Sequence, residues 1–189
     1  MRLTDALRQE YQNLFDTCRV RPHRTAELKL VTRKLIKSRP RYEAAGGPHG
    51  VPWTVVAILH QMESSGSFAR HLHNGDPLTQ RTVRVPSGRP ATGTPPFTWE
   101  ASAEDAIRLA GLSRWSDWSV PGILYRLEKY NGFGYRMHHP EVLSPYLWGW
   151  SLHYSRGKYV ADGRWSATAV SRQCGAGVLL RELVAANPQ

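Results

Sequence analysis

Val51-Pro-Trp-Thr-Val-Val-Ala-Ile-Leu-His-Gln-Met-Glu-Ser-Ser-Gly-Ser-Phe68 is the stretch whose reading decides the fold. Pro52 suits the first turn of a helix, where its missing N–H would be unpaired in any case. Val55, Val56, Ile58, Leu59 and Met62 leave almost no polar face, so the helix is predicted to be central and buried, ending at Glu63-Ser-Ser-Gly66. Glu63 is the informative residue. A carboxylate at the C-terminal end of an apolar helix is disfavoured by burial and again by the negative pole of the helix dipole. Both effects favour the protonated acid, the form that can donate a proton near neutral pH. The plainer alternative is a solvated glutamate in a fraying last turn.

Outward from this helix the pattern stays mainly helical. Leu3, Leu7, Tyr11, Leu14 and Phe15 share one face over residues 3–16. A second amphipathic helix is predicted over Thr25–Lys37, with Leu28, Val31 and Leu35 inward, Arg33, Lys34 and Lys37 outward, and Pro40 as its stop. Gly46, Gly47, Pro48 and Gly50 read as a loop. From Glu63 to about Trp99 the prolines Pro86, Pro90, Pro95 and Pro96 keep most of the chain from being helical. There the alternation Arg81-Thr-Val-Arg-Val85 predicts a strand and Ser87-Gly-Arg-Pro90 a turn. Ser102 with Asp105 forms a capping-box variant opening a helix over Ala103–Ala110. Ser119 and Pro121 open another, with Ile123, Leu124, Leu127 and Tyr130 inward. Residues 131–165 read mostly as loop. A last helix is predicted over Ala167–Ala185, with Val170, Cys174, Leu179 and Leu183 inward. The fold class is therefore α+β, mainly α-helical, with a small β-hairpin region after the central helix. Residues 1–45 are expected to form a helical extension packed on a single globular domain of residues 46–189.

The 189 residues carry 25 Lys and Arg against 15 Asp and Glu, a net charge of +10. That balance favours anionic partners: nucleic acid, an acidic polysaccharide or an anionic membrane surface. With 41% hydrophobic and 21% charged residues the chain is globular rather than disordered, and no apolar run is long enough to cross a bilayer. Seven Trp and eight Tyr, many of them in the last third, must mostly be core, though aromatic faces also bind sugars and bases. Cys18 and Cys174 lack CxxC spacing, which argues against a structural zinc or a redox motif. One disulfide is open to them, but two buried free thiols are the expectation. Nothing calls for a cofactor. The first fifteen residues have no apolar core and no small-residue cleavage site, so no signal peptide is expected.

Two motifs carry a family resemblance. The stretch 51–68 resembles the catalytic helix of the lysozyme-like superfamily, and Glu63-Ser-Ser-Gly-Ser-Phe68 is similar to the Glu-Ser-x-Phe region of bacterial lytic transglycosylases. Tyr130 followed by Asn131-Gly-Phe-Gly-Tyr135 is similar to the Tyr-Asn-x-Gly element of those enzymes. The resemblance spans roughly residues 50–165, and its glutamate element is the more specific part. It implies a lysozyme-like fold in which Glu63 is the general acid at a sugar cleft and a short β-region lines one wall. On the other wall it implies sugar contacts from Tyr130, Asn131 and Tyr135, with Tyr146 and Trp148 as alternatives.

Asp76, in His71-Leu-His-Asn-Gly-Asp76, is the nearest carboxylate that could work across such a cleft, activating water or stabilising positive charge on the sugar ring. Asn74-Gly75-Asp76-Pro77 is equally well read as turn chemistry. Metal ligation by His71, His73 and Asp76 has the right donors but no helical i,i+4 pair, so no metal is expected. Gln80 and Thr82, on the predicted strand, are candidates to hold an attacking water, or they form a solvated strand face. Glu100, Glu104 and Asp105 are explained by a helix N-terminus, and Glu128 and Glu141 are expected to face solvent.

The expected function is a glycosidase that cleaves the β-1,4 bonds between MurNAc and GlcNAc in peptidoglycan. A lytic transglycosylase, or a chitinase or chitosanase of the same superfamily, is the alternative within that class. A basic nucleic-acid-binding or wall-binding domain without activity is the alternative outside it; no nucleic-acid motif is present, and the Lys and Arg are dispersed. The expected partners are the glycan strands themselves and an immunity or inhibitor protein, with the enzyme a monomer. Without a signal peptide, such an enzyme would reach the wall through holin pores, as a phage endolysin, or through a secretion system, as an antibacterial effector.

Overall fold

The computed structural model describes residues 1–186. Its described part is mainly helical with one two-stranded antiparallel sheet, an α+β chain as the periodicities predict. The chain divides into two compact units: residues 1–32 together with residues from 119 onward, and residues 33–118. Residue 45, where the helical extension is expected to end, lies inside a helix of the second unit, and residues 1–32 group with those from 119 onward.

In the first unit, α1 (Asp5–Thr17) begins where the Thr4 hydroxyl accepts the amide of Leu7, and it buries Tyr11 and Phe15, one turn apart. Helix α2 (Thr25–Lys37) crosses the division between the units. Its buried positions are Leu28, Thr32 and Leu35. Thr32 therefore takes the place expected for Val31, its hydroxyl donating to the Leu28 carbonyl at 2.9 Å.

The second unit opens with α3 (Arg39–Gly46), which sequence periodicity missed. Pro40 sits in its first turn, so the residue read as a stop is also a start. Helix α4 (Trp53–Ser64) is the predicted central helix; Val55, Val56, Ala57, Ile58 and Leu59 are all at most 1% exposed. It packs on α3, which also packs on α5 (Trp99–Leu109). The core between them centres on Tyr42, His60, Phe68 and Trp99, whose rings lie 4.5–5.9 Å apart. Helix α5 starts four residues before the expected position. Thr98 is its cap, accepting from the Ala101 amide, and Ser102 is buried in its interior.

Residues 81–85 form no strand. The amides of Val83 and Arg84 donate to the Asp76 carboxylate, and Thr82 pairs with Arg89 and Gly88 across a turn. Val83 and Val85 point into solvent, at 67% and 89% exposure, so no apolar face exists to dock a sheet.

The chain then returns to the first unit. Helix α6 (Val120–Asn131) is capped by the Ser119 hydroxyl on the Gly122 amide, as its sequence signal indicated. It packs on α1. Short helices α7 (Gly134–His138) and α8 (Pro145–Trp148) follow. The sheet lies here, inside the stretch read as loop: β1 (Lys158–Ala161) pairs with β2 (Arg164–Ser166) in the register Lys158 to Ser166 and Tyr159 to Trp165. Asp162-Gly163 makes its turn, with Gly163 left-handed at φ 65°. Asp-Gly between short runs of strand-forming residues is a hairpin signal, here set within a stretch whose glycines and prolines read as loop. The last helix, α9 (Ala176–Ala186), begins nine residues later than expected, which leaves Val170 exposed at 56% and Cys174 buried in the preceding loop. Gly175 explains the late start: its amide donates to Gly149, and a Cβ there would collide with the Leu147 backbone, so only glycine allows this crossing. Cys18 and Cys174 are both free and buried.

Candidate functional site

Glu63 occupies the last turn of α4 and is half-buried. Its surroundings are fixed from two directions. Ser65 turns left-handed at φ 54°, and its amide returns to the His60 and Gln61 carbonyls, ending the helix. The following loop then folds back so that Gly75, at φ 75°, lies directly against the Glu63 carbonyl; a Cβ at that position would overlap the oxygen. The His71–Asp76 turn is thereby seated on the end of α4.

Asp76 is 3% exposed and accepts three hydrogen bonds. The Val83 and Arg84 amides reach one oxygen at 2.9 and 3.0 Å, and the Arg84 guanidinium reaches the other at 2.6 Å. Burial alone would raise its pKa, but the Arg84 and Val83 donors outweigh it and hold the carboxyl below its ordinary value. These contacts make Asp76 the anchor of the 71–85 loop. A carboxylate so held is a weak base.

Both rings of the His71/His73 pair are also engaged. His71 Nε2 donates to the Gln80 carbonyl at 2.8 Å, so its Nδ1, 2.8 Å from Ser102 Oγ, is the acceptor. His73 Nε2 donates to Asp105 at 2.8 Å, and Arg89 clasps the same carboxylate at 2.7 and 2.8 Å. Burial lowers the His73 pKa despite Asp105. Ser102, His73 and Asp105 carry the residue types of a hydrolase triad, but Ser102 is 0% exposed and no substrate reaches it. The trio fastens the loop to α5. Ser102 and Asp105, read as caps, are therefore tertiary anchors, for which helix position gave no signal. Among the described residues no cluster suits a metal ion. Thr82 is 3% exposed, its hydroxyl spent on Pro86 O and the Arg89 amide, while Gln80 is exposed. Thr82 thus lies on no solvated strand face and locks a turn instead.

In the first unit, Asn131 and Tyr135 line one open groove of about 490 Å³, together with His138, Tyr159 and Asp162. The Tyr135 ring meets Tyr159 and Trp165 edge-on at 5.4 and 5.8 Å, and Trp165 stacks on His139 at 3.5 Å. The hairpin thus supplies Tyr159 to the groove wall, inside a stretch whose local pattern reads as loop. Tyr130 is half-buried in the last turn of α6. Tyr146 and Trp148 are core residues, 9% and 1% exposed.

Glu128 reverses its expectation. It is 2% exposed, accepting the Tyr11 hydroxyl at 2.5 Å and Arg136 Nε at 2.8 Å, while Arg136 also holds Glu10 at 2.7 Å. A buried carboxylate persists only with such partners, and Tyr11 lies 117 residues away in sequence. This network ties α1, α6 and α7 together.

No helix among the described residues is long and apolar enough to cross a membrane. No family model, curated protein or solved structure matches the chain.

Proposed function

We propose that the protein is a peptidoglycan-cleaving glycosidase, with Glu63 as the general acid that protonates the glycosidic oxygen between MurNAc and GlcNAc. The observation that carries this reading is the setting of Glu63. It is a half-buried residue in the last turn of a largely apolar helix, whose end is set by the left-handed Ser65 and by the Gly75 backbone against the Glu63 carbonyl. In the first unit, taken by itself, the groove of Asn131, Tyr135 and Tyr159 offers amide and aromatic groups suited to an N-acetylated sugar. The net charge of +10 suits an anionic wall.

The state of Asp76 favours a particular outcome. Proton transfer from Glu63 breaks the C1–O bond and frees the leaving sugar. With Asp76 tied to Val83 and Arg84 as a weak base, the hydroxyl of the same muramyl residue attacks C1 and returns its proton to Glu63. The product is then an anhydro sugar formed without water, as in a lytic transglycosylase. Hydrolysis, with water in place of that hydroxyl, is the second reading. Mass spectrometry of soluble products from purified sacculi separates them, since the anhydro product is one water lighter. Glu63→Gln is expected to lower product release by about 10²–10⁴-fold. Equal release by wild type and variant refutes the role of Glu63. No release by either, from sacculi and from chitin, refutes the enzyme and leaves salt-dependent nucleic-acid binding to be measured.

A further inference from the structure

A second groove of the first unit lies apart from the residues used above. It measures about 340 Å³ and is lined by the turn at Arg21–Arg24, the segment from Trp150 to Ser155, and Val170 with Ser171. No carboxylate lines it.

Its walls are built rather than incidental. The Arg21 amide donates to the Trp150 carbonyl at 2.9 Å, and Val20 pairs with Ser151 in an antiparallel bridge. The Trp150 indole N–H donates to the Arg172 carbonyl at 2.8 Å, and the Ser171 amide donates to the Tyr154 hydroxyl at 3.0 Å. Trp150 holds φ 72°, a left-handed conformation that a bulky residue adopts only when its surroundings impose it.

The charged side chains are oriented by these walls. Arg21 spends one nitrogen on the Tyr154 carbonyl at 2.7 Å, which fixes the plane of its guanidinium and leaves its other donors. The Arg24 guanidinium lies over the Trp150 ring at 5.0 Å and is paired with Glu27 at 2.6 Å. His23 is the third basic group on the rim. Two oriented guanidiniums and an imidazole against one carboxylate outside the lining suit a compact, multiply charged oxyanion.

We propose that this groove binds a phosphate group carried on a small polyol or sugar. Its volume matches a ligand of that size. Trp150 and Tyr154 are only 7% and 3% exposed, so neither offers the open ring face on which single-stranded nucleic acid stacks. Arg21 and Arg24 grip the phosphate oxygens, and the Ser155 and Ser171 hydroxyls meet the polyol. The inference does not depend on the assignment of Glu63.

The test is an NMR titration of the Trp150 indole N–H signal, identified by its loss in Trp150→Phe. The probes are glycerol phosphate, inorganic phosphate, glycerol and a short oligothymidylate. The expected result is a saturable shift with glycerol phosphate, none with glycerol, and roughly tenfold weaker saturation in Arg24→Gln. Unchanged positions of the other six indole signals show that this variant is folded. Equal saturation by inorganic phosphate identifies the free ion as the ligand; tighter glycerol phosphate identifies a polyol phosphate, and both uphold a phosphate site. No saturable shift with either phosphate, a shift undiminished in both Arg24→Gln and His23→Gln, or a shift with the oligonucleotide alone would overturn the proposal.

Discussion

Acidification should unfasten the second unit through one residue, His60. Its ring is 0% exposed between Tyr42, Phe68 and Trp99, with the Tyr42 hydroxyl 2.9 Å from Nδ1. Burial pushes its pKa down from 6.5 to about 4, helped by the Arg41 charge and only partly offset by the Ser67 backbone. The unfolded chain therefore takes up a proton below pH 6.5, while the folded chain resists until about pH 4. Stability falls through that window and levels off beneath it. A gap of about 2.5 in pKa corresponds to roughly 3 kcal/mol, a large part of the stability of a small domain. His73, also lowered by burial, adds to the loss in the same direction. Asp76 and Asp105, held below 3.8, contribute theirs only as the pH falls below that value. The assay is urea unfolding at pH 7 and pH 4.5, for wild type and His60→Gln, a variant that keeps an acceptor for Tyr42 but cannot titrate. The variant should be less stable at pH 7 yet lose clearly less on acidification. An identical pH dependence in the two proteins refutes the argument.

Other expectations follow from single contacts. Gly75→Ala should cost about 2 kcal/mol or more, because a left-handed residue gains a Cβ against the Glu63 carbonyl; denaturant midpoints and product release should fall together. Glu128→Gln should cost about 3 kcal/mol by leaving Arg136 with a weakened partner in a buried network, read as a lowered Tm. Cys18 and Cys174 are buried, which pushes both thiols up, so neither should react with a disulfide reagent at pH 8 until denaturant is added. Fast labelling of either thiol in the native protein would contradict their burial.

The candidate site was only partly legible. The position of Glu63 at the end of α4 follows from local sequence, because a buried helix and its stop are written in consecutive residues, whereas the grouping of Asn131 with Tyr135 in one groove is an expectation from the family resemblance. The aromatic wall of that groove was hidden. Tyr159 faces it, with Trp165 packed behind, only because Asp162-Gly163 turns a hairpin within a glycine-rich stretch whose local pattern reads as loop. Glu128 was misplaced for a different reason. Its neighbours in α6 do not say that Tyr11 and Arg136 will meet it, and without them the same carboxylate would have to face water.

By itself the sequence determined what short-range physics can determine. It placed α1, α2, α4 and α6 within a few residues, from apolar periodicity, from prolines at their first turns, and from the hydroxyl of Ser119 on α6. It also determined the basic charge, while the structure decided that Cys18 and Cys174 stay free. Tertiary structure decided how the polar residues between the helices are used. Asp76 became a loop anchor, Ser102 and Asp105 became fasteners for His71 and His73, and Val83 and Arg84 gave their amides to a carboxylate instead of a strand. The reason is common to all three. A buried polar group must find a partner, and that partner can come from any point in the chain that the fold brings near.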